Sequence, residues 1–321
     1  MKKIKYITLV TSFIAIFLLF AACSSNEAKQ SATQNPETKT FKHESGETEV
    51  PVNPERVASD QYMGQLLKLG IKPMGVRDNM LTETWIDLAN LEEGTLDGIE
   101  SLGGFPLNLE ALISINPDLI ISSLPDNVES YSKIAPTVHI AYASPNYSSP
   151  MDKFLKLAEL FDKTEQAQQW IDQFERDVAK VQEQILQSGK IKEGETVSVM
   201  AVFDKNVYAF GPKGAYGGSM IYDYLKLQPT PQAEELHGQA INSAKLSLEM
   251  VPEYMGDHAF ITVIDEAKGK ELMESSFWKT IPAIANNQVY FYESPIFAMD
   301  DPYSMEAQLK IIQDLLMPIE K

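Results

Sequence analysis

Arginine is scarce in this chain. Of 27 basic side chains, only Arg56, Arg77 and Arg176 carry a guanidinium, the planar fork that grips paired anionic oxygens. Arg56 opens the apolar run Arg56-Val57-Ala58-Ser59, Arg176 falls inside a long helical pattern, and Arg77 follows Gly75-Val76. Loops after strands carry much binding chemistry, so Arg77 is the strongest candidate for holding an oxygen-rich anionic or metal-chelating ligand. A surface ion pair with Asp78 is the competing reading. Other chemistry is thin. The four histidines (His43, His139, His237, His258) show no HxxxH or HxH spacing, which leaves direct metal coordination by imidazole weakly supported. There is no GxSxG, no GxxxxGK[ST] and no cysteine beyond Cys23, so hydrolase and phosphate-loop readings lack their parts. Gly211-Pro212-Lys213-Gly214 and Gly217-Gly218 have the wrong spacing for a phosphate loop and read as turns.

Cys23 has its own context. Lys2, Lys3 and Lys5 precede an apolar stretch from Tyr6 to Phe20, followed by Ala21-Ala22-Cys23. That layout is a secretory signal, and its apolar core falls short of the ~20 residues a membrane-spanning helix needs. A cysteine directly behind such a run resembles the lipobox of bacterial lipoproteins, with Phe20 where that pattern usually has Leu. The resemblance implies removal of residues 1–22, acylation of Cys23, and a lipid-anchored chain on the extracellular face of the cell membrane. Residues 23–40 hold almost nothing that could be buried and read as a disordered tether. A net charge of −18 argues against nucleic acid or anionic lipid surfaces as partners. With no second cysteine to form a disulfide, an exported chain must rely on its core, which 44% hydrophobic residues make feasible.

Short apolar runs then alternate with helical patterns, which predicts βαβ units and an α/β fold with mainly parallel sheets. Strands are expected at 56–59, 73–76, 118–122 and 137–140, and again at 196–203, 207–210, 259–264 and 288–291. Between these sets, Glu165 to Gln187 repeats apolar residues at Trp170, Ile171, Phe174, Val178, Val181 and Ile185, one face of a helix. At about 23 residues that helix is roughly 34 Å long, a rigid strut between two halves. The expected organisation is thus an N-terminal lobe over 41–164, an interlobe helix over 165–188 and a C-terminal lobe over 189–321. The halves also echo each other. Leu109-Glu110 leads through Pro117-Asp118 into Leu119-Ile120-Ile121, and Leu248-Glu249 leads through Gly256-Asp257 into Phe260-Ile261-Thr262.

Several stretches carry a resemblance: Asn53-Pro54-Glu55-Arg56-Val57, Leu66 to Val76, Leu109 to Leu112, and Asn116 to Ile121 in the first half. In the second half these are Gly217-Gly218, Leu248-Glu249, Phe277-Trp278-Lys279 and Asn287-Gln288-Val289-Tyr290. In their order and spacing they resemble the iron–siderophore and cobalamin group of substrate-binding proteins of bacterial ABC importers. The resemblance runs from about residue 48 to 316. Gly217, Gly218 and Tyr222 look most like Gram-positive receptors for hydroxamate and citrate-type siderophores, with Tyr216 where those often carry Arg. It implies a monomer without cofactor or catalysis that captures a ferric siderophore and passes it to the importer's permease. Heme, cobalamin or ferric citrate binding on the same fold, or a cell-surface enzyme, are the alternatives.

In such folds the ligand lies at the carboxyl ends of the strands, between the lobes. That rule selects Tyr62, Arg77, Ser122, Tyr142, Lys205, Tyr216 and Phe297 as ligand contacts, with Asp60, Gln61, Ser123 and Asp204 beside them. Iron is expected to arrive already chelated; direct ligation by Asp60, Tyr62, Tyr142 and Glu293 is the competing reading. By the same resemblance, Glu110 and Glu249 dock onto permease arginines, although an acid in a helix's first turn is also favoured by the helix dipole.

Overall fold

The computed structural model describes residues 37–317 except 143, 145, 148, 204–205, 239–241, 265–269, 272 and 293. Cys23, Lys205, Asp204 and Glu293 lie outside the described residues. The described chain opens on a hairpin, β1 (Thr38–His43) paired antiparallel with β2 (Gly46–Pro51). Thr38 to Thr40 are therefore strand where a tether was expected. Their side chains are polar, but the partner strand satisfies their backbone, and Phe41 and Val50 supply the buried contacts.

The N-terminal lobe holds β3 (Val57–Ser59), α1 (Met63–Lys68), β4 (Gly75–Val76), α2 (Glu83–Leu88) and β5 (Glu100–Ser101). It continues through α3 (Leu109–Ser114), β6 (Leu119–Ser122), α4 (Pro125–Tyr131) and β7 (Thr137–His139). The sheet order is β5-β4-β3-β6-β7, all parallel. Two helices follow, α5 (Pro150–Leu160) and the strut α6 (Thr164–Ser188). Ser149 and Asp152 close a capping box on α5, and Gly189 ends α6 at φ 65°, a left-handed conformation that glycine adopts without steric cost.

The C-terminal lobe holds β8 (Val197–Phe203), β9 (Asn206–Phe210), α7 (Pro231–Glu234), β10 (Ser243–Leu246), α8 (Val251–Tyr254), β11 (His258–Val263), α9 (Pro282–Ala285) and β12 (Val289–Tyr292). Its sheet runs β10-β9-β8-β11-β12, with β8, β11 and β12 parallel and β9 reversed between β8 and β10. Between β9 and α7, Ser219–Tyr224 form a π-helix. The chain closes with α10 (Ser294–Phe297) and α11 (Pro302–Leu316).

Side chains alternate across each sheet and sort into different cores. Val57, Leu119 and Ile121 face a cluster that also takes in Phe154, Ile171, Phe174, Val199, Phe260 and Ile312, so one core crosses both lobes beneath α6 and α11. Ala58 and Ile120 face the opposite way, into a smaller cluster with Leu102, Leu112 and Tyr131. Met200 and Val202 do the same in the C-terminal lobe, with Leu236, Trp278 and Ile281. The echo between the lobes is physical. The Asp118 carboxylate accepts from the backbone N–H groups of Glu55 (2.8 Å) and Arg56 (3.0 Å) where β3 begins. Asp257 accepts from the N–H (2.8 Å) and hydroxyl (3.0 Å) of Thr196 where β8 begins. Across the lobes, Lys68 pairs with Glu306 at 2.8 Å, and the Trp85 indole donates to the Ser304 hydroxyl at 2.9 Å.

Candidate functional site

All five strands of the N-terminal sheet empty their carboxyl ends on one side, as a parallel sheet must. Arg77 leaves β4 there, half-buried, and its Nη2 donates to the side-chain oxygen of Gln61 at 2.8 Å. The guanidinium lies 5.1 Å from the Phe105 ring centroid, a cation–π contact. Burial lowers its pKa, and Asp60, Asp78 and Tyr142 act in the opposite direction. The expected Asp78 influence is thus present, but the hydrogen bond of Arg77 goes to Gln61. Tyr142 follows β7, is 39% exposed, and hangs from the Ser123 carbonyl through its own N–H at 3.1 Å. Asp300 and burial push its phenol pKa up, while Arg77 pulls it down.

The C-terminal lobe presents a different wall. Phe203, at the end of β8, meets the rings of Tyr208 and Tyr216 edge-on, each at 5.3 Å, and Phe210 touches Tyr216 at 5.1 Å. Tyr216 sits at φ 53°, and its carbonyl accepts from the Tyr292 hydroxyl at 2.5 Å. Gly217 follows at φ 95°, where a Cβ would stand 3.1 Å from the Phe297 ring, so the turn admits little but glycine. Tyr216 is held in place by ring packing and a backbone clamp rather than by its own hydroxyl.

Three expected contacts are not on this surface. Tyr62 is fully buried and its hydroxyl donates to the Ile140 carbonyl at 2.5 Å. It stands at the N-cap position of α1 without a side-chain cap bond, and its hydroxyl pins the loop after β7. Ser122 is fully buried, its single hydroxyl proton within hydrogen-bond reach of both Asp60 Oδ2 (3.1 Å) and the Leu124 carbonyl (3.0 Å). Phe297 is buried against Tyr292 at 4.1 Å, beneath the glycine turn. Position after a strand was the signal for all three, and it does not fix side-chain direction. Asp60 also turns inward. Its carboxylate accepts from the Ser123 N–H at 2.8 Å, and burial raises its pKa. With Asp60 and Tyr62 so committed, the direct-ligation set does not assemble, and no group of three or more His, Cys, Asp or Glu poised for a metal exists among the described residues.

The structure adds residues the sequence did not single out: Phe105, Phe203 and Tyr208, and a buried Lys153 beneath Tyr142. Phe105 had a faint signal, an aromatic between Gly103-Gly104 and Pro106; Lys153 had none. Glu110 stands exposed in the first turn of α3, flanked by exposed Leu109 and Ile113. Glu249 stands exposed in a 3-10 turn, Leu248–Met250, flanked by exposed Leu248 and Met250. Its own N–H and the Ser247 hydroxyl hold the Glu249 carboxyl below the usual range.

Known proteins share this fold. The iron(3+)-hydroxamate-binding protein FhuD of Bacillus subtilis is 32% identical over 97% of this chain and 98% of its own length. A FhuD fold-family periplasmic binding protein of a ferrichrome ABC transporter from Bacillus subtilis superposes with TM-score 0.75 at 29% identity, covering 87% of this chain and all of that one. FhuD2 from Staphylococcus aureus with bound ferrioxamine B gives TM-score 0.70 at 25% identity, covering 82% and 98%. Residues 57–296 match the profile of the periplasmic binding proteins, and the chain belongs to that family.

Proposed function

We propose that this chain captures a ferric siderophore of hydroxamate or mixed citrate–hydroxamate type between its lobes and delivers it, unchanged, to an ABC importer. The observation that carries the reading is a pair of unlike side-chain groups, one from each lobe, with Tyr142 and Tyr216 within electrostatic reach of each other. Arg77 and Tyr142 offer donors suited to iron-bound oxygens, and Phe203, Tyr208 and Tyr216 offer rings suited to a siderophore's carbon skeleton. The hydroxamate-binding relative, aligned along almost the whole chain, supports the ligand class. With few cations at the cleft, highly anionic tris-catecholates are poor ligands. The protein carries no chemistry of its own, acts as a monomer and is held at the cell membrane by acylated Cys23. Lobe closure on binding is modest, because α6 is a rigid strut and one core crosses both lobes.

Glu110 and Glu249 are the permease contacts, one per lobe, each an exposed carboxylate between exposed apolar side chains. The test is uptake of a radiolabelled ferric trihydroxamate by cells that depend on this protein. The Glu110→Ala/Glu249→Ala double variant retains ligand binding when purified and loses most uptake, with stability changed by no more than ~1 kcal/mol. Loss of binding in the purified variant would reject the docking assignment.

A further inference from the structure

The cleft also contains a buried charge pair, Lys153 with Asp300. Lys153 of α5 is buried, with only 7% of its side chain exposed. Its ammonium bonds the carboxylate of Asp300, between α10 and α11, donates to the Tyr142 carbonyl at 3.3 Å, and lies 4.5 Å from the Tyr142 ring centroid. Asp300 is the more exposed end, at 25%. It lines a small cavity together with Gln61, the residue that receives Arg77. The cleft floor therefore holds two cations, each with its own acceptor: Arg77 on Gln61 and Lys153 on Asp300.

Resting on the ferric-siderophore reading, we propose that the Lys153–Asp300 pair is a charge filter, favouring ferric complexes that carry a pendant ammonium over neutral ones of the same shape. Two facts set the sign. The pair has no net charge, but its carboxylate end faces outward and its ammonium end is sealed under Tyr142, so an approaching ligand meets the negative end first. The site is also partly desolvated, so a charge a few ångströms away is felt more strongly than in bulk water. Asp300 already imposes itself on its surroundings, being the leading influence that pushes the Tyr142 phenol pKa up. Removing one partner leaves the other charge uncompensated, and that turns the filter into something measurable.

The experiment uses ferrioxamine B, whose pendant amine is positively charged, and its N-acetylated form, which is neutral and carries the same iron centre. Both are titrated into the purified unmodified protein, Lys153→Met, Asp300→Asn and the double variant. The unmodified protein binds the charged form more tightly. Lys153→Met widens that ratio roughly tenfold, and Asp300→Asn reverses it by a similar factor. The double variant returns near parity. A ratio that stays constant while both affinities fall together would overturn the filter and leave the pair a structural clamp on Tyr142. Should Lys153→Met fail to fold, Asp300→Asn decides alone, since it preserves shape and must shift the ratio. Binding of neither form by the unmodified protein overturns the siderophore reading itself, and the filter with it.

Discussion

Every strand in the sheet of the N-terminal lobe runs parallel to its neighbours, whereas in the C-terminal lobe β9 turns back between β8 and β10. Parallel strands need crossover connections and so deliver one loop each to the same edge. The N-terminal lobe uses these loops to place separate polar groups, Gln61, Arg77 and Tyr142, at the cleft. The reversal in the C-terminal lobe folds Phe203 and Tyr208 onto neighbouring strands, where Tyr216 packs on Phe203 and Phe210. One topology distributes donors, and the other builds a continuous aromatic surface. A ligand with an oxygen-coated metal and an organic skeleton needs both.

Three substitutions probe how independent the lobes are. The largest effect belongs to Trp278→Ala. That side chain is fully buried in the outer core of the C-terminal lobe, and its truncation costs about 3–5 kcal/mol. Because the main core crosses both lobes, urea unfolding stays a single transition; a second transition confined to one lobe would show that the lobes unfold independently. Next is Asp301, which sits at the joint, capping α11 through the N–H groups of Tyr303 and Ser304. Burial pushes its carboxyl up to about 6 from an ordinary value of 3.8. A raised folded-state pKa means the folded protein keeps a proton the unfolded chain has released. The stabilisation is complete below about pH 4 and is lost as pH rises through about 6, a change of about 2–3 kcal/mol. Asp301→Asn flattens that limb of the urea midpoint against pH, and an unchanged limb would show that another group titrates there. The smallest effect comes from the N-terminal lobe. Tyr131→Phe removes the oxygen that accepts from the Leu107 N–H at 2.9 Å, for about 1–2 kcal/mol and no change in ligand affinity.

How much of this was written in the sequence depends on which force placed each residue. The strut was legible because six apolar residues on one helical face left little choice; Ile171, Phe174, Val178, Val181 and Ile185 are buried as that face requires, whereas Trp170 is only half-buried and Ala167 is buried in addition. The central strands were legible as apolar runs. β1, β5 and β10 were not, since Thr38–His43, Glu100–Ser101 and Ser243–Leu246 are largely polar and owe their strand state to backbone pairing with a neighbour. At the site, the loops were correctly placed but not the rotation of their side chains. Tyr62 and Phe297 follow strands as Tyr142 and Arg77 do, yet turn into the core. Lys153 was invisible because its partner, Asp300, is 147 positions away, a contact only tertiary structure creates.

Both walls hold one ligand if the proposed function is right. Trp85 is buried and lines the same small cavity as Gln61 and Asp300, so its fluorescence should report a ferric complex in the cleft. The decisive measurement is a quenching titration with a ferric trihydroxamate, run on the unmodified protein, Arg77→Ala and Tyr216→Ala. The expected result is saturable quenching by the unmodified protein, no response to cobalamin, and a roughly tenfold or greater loss of affinity in each variant. No saturable response to any ferric chelate, or a response that both variants retain in full, would contradict it.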